Sequence, residues 1–483
     1  LGNYKASNYL IDQHDTWDFF SLSYRGGNKY KDGADAGNNS VLVRHEHEEG
    51  DEYSRRSMLA ALKNYCRPIV DHYNAHIFCQ KIERTDNANA QEFFTDVDGQ
   101  GTTINDYMAE ATRRAQYLGL YIVGIDAPEY HVDKISELAK KESGLYSYFR
   151  TVDPRAIVDV DFKGETITRI VIKETTRDKP SLMVEECTIV RFVEWTASTW
   201  QEYTVDSDEN ALPNGEPTVH NFGEVPFYPF YFDEAEPLVG ISQIEDISEC
   251  QKKVFNYDSL LDEELYNVTF TQTFLVGVDN PSDVLKGGTN NVICLPTGAN
   301  VDRKGAVPEQ AQNIMTSRDR EIKEIYRQAN LEGGSAVDKG TAESGIKKIL
   351  DLEPTHKILK QIAKNAQDVE NWLLRLKSKI EGWNEKEIAV SVYPRDFHDV
   401  AISGMLDEIK KAFEAFGELP DMVSDELLKS WISQRYDGDK EKIKKLHDAI
   451  DAETAERKEK IETSAVRAPF VTDAPMPDNL DKE

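Results

Sequence analysis

Apolar residues recur at spacings of three and four along much of this chain, the signature of helices with one buried face. From Tyr53 to Phe78 the stripe is Met58, Leu59, Leu62, Tyr65, Ile69, Tyr73 and Ile77, and Pro68 is expected to bend or interrupt it. A second helix is predicted over Thr103–Leu118, with Thr103 as N-cap and Asp106 in its first turn. "LGLYIVGID" then reads as a buried strand. Between 150 and 235 the pattern changes. "AIVDVDF", "TITRIVIKET", "CTIVRFVEWT" and "WQEYTV" alternate or run β-branched, and Lys163-Gly164, Pro180 and Asn214-Gly215 separate them, which predicts a sheet built of hairpins. The aromatic, proline-stiffened "GEVPFYPFYFD" closes it.

Helical spacing returns over about 242–266, carried by Ile244, Ile247, Val254, Tyr257, Leu261 and Leu265. "FTQTFLVGV" and "NVICLP" then read as short strands among the turns "DNPSDVLKGGTNN" and "PTGANVDRKG". Pro308 suits the first turn of the next helix, whose stripe runs from Ala311 through Ile314, Met315, Ile322 and Ile325 to Ala329. Two helices of similar length thus flank a compact β element. A long helix follows with Ile358, Ile362, Val369, Leu373, Leu376 and Ile380, and Pro354 is expected to kink or restart it. "EIAVSVYPRDF" is a single strand that must join a sheet formed earlier, because one strand cannot stand alone. Residues 400–465 read as helical, the last eighteen as a flexible tail, and the polar, turn-rich residues 1–50 as a loose surface arm. The fold class is α+β.

Composition narrows the partners. The 483 residues carry a net charge of −30, with 39% hydrophobic and 10% aromatic residues, enough for a sizeable core. Such a chain should not grip nucleic acid through a broad basic face, although like charge lets it surround DNA without sticking. The five cysteines (Cys66, Cys79, Cys187, Cys250, Cys294) are scattered and contain no C-x-x-C pair, which argues against zinc and a disulfide framework and for a reducing compartment. No apolar run approaches the length of a membrane span. No signal-peptide pattern is visible, and since Leu1 rather than Met stands first, a preceding piece stays open.

The segment between the second of the paired helices and the long helix is "EGGSAVDKGTAESG". Its Gly, Lys and Thr suggest a phosphate-binding loop, but that motif needs Gly-Lys-Ser/Thr after a strand. Here Lys339 precedes Gly340, and a helical pattern precedes the segment. The order and the context both fail.

Other constellations read as surface chemistry. "RHEHEEGDE" gathers His45, His47 and five acidic residues; a metal site would need oriented ligands, and an acidic run facing water is the simpler reading. "DVDGQG" places Asp96, Asp98 and Gly101 at positions one, three and six of a calcium loop, but position twelve is Tyr107 where a bidentate Glu is required. No G-x-S-x-G is present. None of these constellations carries a metal, cofactor or catalytic signature.

Two stretches, "GEVPFYPFYFDEAEPLVGISQIEDISECQKKVFNYDSLLDEEL" at 223–265 and "GTAESGIKKILDLEPTHKILKQIAKNAQDVENWLL" at 340–374, together with the element order over roughly 50–450, resemble the portal proteins of tailed bacteriophages. The resemblance implies a mixed α/β wing (51–241), stem helices (242–267 and 308–331) and a small β-containing clip (268–307). It further implies a tunnel loop (332–345), a long helix behind it (346–382), a wing strand (383–399), a helical crown (400–465) and a tail (466–483), after an N-terminal arm (1–50). It implies a homo-oligomeric ring, usually of twelve subunits, in the virion at one capsid vertex, assembled in the host cytoplasm. Through it double-stranded DNA would be packaged and ejected, and the resemblance implies a non-enzyme with no cofactor. The partners implied are the terminase large subunit, the major capsid protein, scaffold protein and a head-tail adaptor, with no membrane. On that reading Gly333, Gly334, Ser335, Lys339, Gly340 and Thr341 face the DNA. Glycines supply flexibility, and one lysine per subunit gives weak, non-specific contacts that permit sliding. Lys286, Arg303 and Lys304 would dock partners at the clip. The alternatives are a metal-dependent hydrolase using His45 and His47, or a capsid or tail adaptor that guides no DNA.

Overall fold

A computed structural model of the chain describes residues 7–32, 41–46, 48–85, 88–127, 146–164, 166–178, 187–205, 211–220, 222–269, 273–276, 292–295, 308–331, 345–383, 388–395 and 397, with 429, 444, 447, 448 and 451. It is an α+β protein in two compact units, Leu1–Phe397 and His398–Glu483. In the second unit the described side chains include an ion pair between Lys429 and Asp451 and a His447 ring nitrogen 3.0 Å from the Lys429 carbonyl. The remainder of the helical expectation over 400–465 lies outside the described residues.

The first unit opens with helix α1 (Asn8–Arg25) and the short α2 (Asn28–Asp32). This corrects the expectation of a loose arm over 1–50. Leu10, Trp17, Phe20 and Tyr24 sit on one face of α1, are all buried in the main core, and Tyr24 stacks on Tyr117 with ring centroids 4.4 Å apart. Aromatic spacing within "YLIDQHDTWDFFSLSY" outweighs the polar stretch beside it. The helix expected over 53–78 is two helices, α3 (Gly50–Leu59) and α4 (Cys66–Phe78). Pro68 does not cause the break: it lies in the first turn of α4, where its missing N–H is no loss. The break is held open by Gln251, whose Oε1 accepts from the backbone N–H groups of Tyr65 and Cys66, and by Asn64 Oδ1, which accepts from Arg67 N–H.

After the two-residue strand β1 (Glu83–Arg84) come α5 (Ala88–Phe94) and α6 (Ile104–Leu118), the latter capped by Thr103 Oγ1 accepting from Asp106 N–H. Strand β2 (Leu120–Asp126) is the centre of a three-stranded antiparallel sheet, flanked by β3 (Tyr148–Val152) and, further along the chain, β10 (Phe227–Tyr231). A second sheet is the expected meander: β4 (Ile157–Lys163), β5 (Thr166–Asp178), β6 (Cys187–Thr196), β7 (Thr199–Val205) and β8 (Ala211–Pro213), with β9 (Thr218–Val219) also on β7. Strands β11 (Asp233–Glu236) and β12 (Val239–Ile241) form a hairpin. The chain then enters a first long helix, Glu245–Thr269, then strands β13 (Thr273–Val276) and β14 (Val292–Leu295), and a second long helix, Pro308–Gln328. The longest helix, Gly345–Glu381, is continuous through Pro354 rather than restarted there. The last strand, β15 (Ser391–Val392), pairs with β1, the partner that the lone strand required.

One crossing fixes how these parts meet. α6 ends at Gly119, which takes φ +82°, and the backbone of Gly240 in β12 passes against it. A Cβ on Gly240 would lie 2.1 Å from the Gly119 carbonyl oxygen, and one on Gly119 would lie 2.3 Å from that of Gly240. Ser242 Oγ donates to the Tyr117 carbonyl, and Gln243 N–H to that of Gln116. The base of the first long helix is thereby tied to the end of α6. Gly240→Ala is expected to destabilise the fold by about 3 kcal/mol or more, because the clash is backbone on backbone and cannot relax by a rotamer change. Equilibrium urea unfolding checks this; an unchanged midpoint contradicts the crossing.

Candidate functional site

The two long helices form an antiparallel hairpin. Three contacts trace it: Cys250 Sγ to Gln328 Oε1 at 3.8 Å, Lys253 to Glu321 at 3.6 Å, and Asp258 to Arg318 at 3.3 Å. As one helix advances its partner retreats. The first helix, at 25 residues, is about 37 Å long. The connection at its far end carries β13 and β14, which pair in parallel, Thr273 opposite Val292 through Val276 opposite Leu295. Parallel pairing needs a crossover rather than a tight turn, and the two strands are fifteen residues apart in sequence.

Charge fixes the hairpin against α3. Arg56 is 1% exposed, although every other residue of its helix is exposed or half-buried. Its guanidinium donates to both Glu48 oxygens at 2.7 Å, to Ser259 Oγ at 3.0 Å and to the Val43 carbonyl at 2.8 Å. Those Arg56 bonds hold the Glu48 carboxyl below its ordinary pKa, against the opposing effect of burial. Asn256 clamps the same segment, accepting from Val43 N–H and donating to the Val41 carbonyl. Asp258 is bridged by Lys63 at 2.9 Å as well as by Arg318. A groove of about 290 Å³ remains between residues 43–45 and the first helix, with Lys252, Lys253 and His45 on its walls.

The second hairpin helix ends in a Schellman motif. Asn330 takes φ +54°, its N–H donates to the Arg327 carbonyl, and Leu331 N–H donates to that of Tyr326. Tyr73 of α4 donates to the Ala329 carbonyl at 2.6 Å, and Thr355 of the longest helix donates to that of Asn330. The chain is therefore anchored on both sides of residues 332–344.

The longest helix is held again further along. Glu370, fully buried, accepts from Arg84 at 2.6 and 3.0 Å and from Tyr393 Oη at 2.7 Å. Near the end Lys377 Nζ donates to the Ser147 carbonyl at 2.6 Å and to its Oγ at 2.9 Å, lies 3.2 Å from Glu381, and sits 4.3 Å from the Phe93 ring centroid. Burial pushes the Glu381 carboxyl up, but Lys377 and the two Ser147 donors outweigh it and hold the pKa below the ordinary value.

The residues singled out from sequence fall differently. Gly333, Gly334, Ser335, Lys339, Gly340 and Thr341 lie outside the described residues, as do Lys286, Arg303, Lys304 and His47. His45 is exposed, and the neighbouring Glu48 is committed to Arg56 rather than solvated. The Asp96–Gly101 turn uses its carboxylates on its own chain: Asp98 accepts from Gln100 N–H and from Thr102, and Asp96 from Gly101 N–H. Among the described residues no three His, Cys, Asp or Glu side chains form a metal-holding group. Sequence reasoning missed the Arg56 clamp. An arginine within an apolar stripe, eight residues after a glutamate, was its only signal.

No protein-family model matches this sequence, and no curated protein matches it.

Because the folded Glu381 pKa is lowered, its stabilising contribution is complete above the ordinary value of about 4.3 and is lost as pH falls through the folded value. Glu381→Gln, which removes the carboxylate beside buried Lys377, is expected to cost about 3 kcal/mol at pH 7. Urea unfolding from pH 7 to pH 3 should show that deficit shrinking below about pH 4.3; parallel curves would contradict it.

Proposed function

We propose that this chain is a portal protein of the tailed-bacteriophage kind, a ring subunit through which double-stranded DNA is packaged and ejected. The observation that carries the reading is the antiparallel helix hairpin with paired strands at its far end, followed by a 37-residue helix. On this reading the hairpin is the stem, the strand pair belongs to the clip, and residues 332–345 are the loop presented to DNA. The two sheets and α1–α6 make the wing. Tyr73 at Ala329 and Thr355 at Asn330 hold the chain just before the loop, and the glycines in the loop's sequence suit a segment that must yield to a passing duplex.

Two further features support it. Leu265 is 65% exposed and Met315 40% exposed in the far half of the hairpin, apolar surface that a neighbouring subunit would cover. A net charge of −30 disfavours tight DNA binding, as a conduit requires. In this reading Lys339 makes a weak phosphate contact, Lys286, Arg303 and Lys304 meet the terminase and the head-tail adaptor, and no catalytic group is used.

Sedimentation velocity of the purified chain, alone and with scaffold protein, is expected to give a closed oligomer of about twelve chains. A monomer in both conditions would overturn the proposal. Lys339→Ala should leave the oligomer intact while altering packaging rate or DNA retention. Unchanged rate and retention would remove Lys339 as a DNA contact.

A further inference from the structure

Helix α4 carries an imidazole pair that no part of the portal reading uses. His72 and His76 are one turn apart, along the edge of the helix that borders buried Ile69, Tyr73 and Ile77. Side chains at i and i+4 project from the same face. Their rings lie edge to face, with centroids 4.5 Å apart. A metal ion bound at about 2.0–2.1 Å by one nitrogen of each ring sets the centroids about 5 Å apart, so the rings already stand near chelating distance. His72 is exposed and His76 half-buried, which leaves a path for an ion from solvent.

Neither ring is committed to a hydrogen-bond or ion-pair partner among the described residues, and the arginine of this helix is itself paired. Arg67, one turn earlier, is paired with Asp71 at 3.6 Å, and Asp71 also accepts from Tyr24 Oη at 2.7 Å. The nearest cationic side chain on this helix is therefore partly neutralised.

We infer that His72 and His76 form a bidentate surface site for a divalent transition-metal ion of the imidazole-preferring class, Zn²⁺, Ni²⁺ or Cu²⁺, with water in the remaining positions. Hard cations such as Mg²⁺ and Ca²⁺, which take oxygen ligands, are not expected there. The ion would tie together two turns of the helix that carries Tyr73, whose hydroxyl holds the end of the second hairpin helix at Ala329. Metal binding to the folded state alone raises its stability by mass action. The inference is independent of the portal reading.

The test uses the full chain, titrated calorimetrically with Zn²⁺ and, for electron paramagnetic resonance, with Cu²⁺. The wild type, His72→Asn, His76→Asn, the double variant and His45→Ala are compared, with circular dichroism confirming that each is folded. The expected result is a saturable site that weakens about tenfold or more in each single variant and disappears in the double variant. His45→Ala should leave it unchanged. The wild-type Cu²⁺ spectrum should carry coupling to two imidazole nitrogens, and Zn²⁺ should raise Tm in wild type but not in the double variant. A folded double variant that binds Zn²⁺ with wild-type stoichiometry and affinity would overturn the inference, as would loss of the site in His45→Ala.

Discussion

The close passage of Gly119 against Gly240 is the constraint on which the rest of the first unit depends. Neither position has room for a single methyl group. Because the two backbones touch, the end of α6, the start of β2 and the base of the helix hairpin occupy one place. From there β2 runs through the middle of its sheet, and the hairpin leaves in a direction set by Ser242 and Gln243. A similar contact recurs inside the sheet. A Cβ on Gly124 would come 2.5 Å from the Phe227 ring, so Phe227 of β10 can sit opposite that position of β2 only because it is glycine.

Around this junction, buried charges act as locators. Arg56 joins residues 43–48 to the first hairpin helix; Glu370 joins β1 and Tyr393 to the longest helix; Lys377 joins that helix to Ser147. Each brings together segments far apart in sequence. A buried ion pair contributes little net stability over an apolar replacement, but breaking one side is costly. Such pairs therefore select one arrangement of the helices over nearby alternatives.

The elements legible in the sequence were those with a period. The alternation in "TITRIVIKET" and "CTIVRFVEWT" became β5 and β6, and the stripes beginning at Ile244 and Ala311 became the two hairpin helices. What was hidden had a partner remote in the chain. The break between α3 and α4 is made by Gln251, not by the nearby Pro68. The pairing of β15 with β1 spans most of the unit and left no mark beyond the need for some partner. α1 was concealed because its aromatic stripe is embedded in polar residues that face water. Of the candidate site, the glycine-rich composition of 332–345 was readable, whereas the anchors holding its ends, Tyr73 and Thr355, were not, since a buried hydroxyl looks like any other in sequence.

On the portal proposal, the hairpin and the segment after it face a passage for DNA. Electron microscopy of the purified protein, with class averages examined for rotational symmetry, tests it most directly. Portal subunits should give closed rings with a central hole wide enough for a DNA duplex, seen with the chain alone or after scaffold or capsid protein is added. Compact particles without a hole under all of these conditions would contradict it.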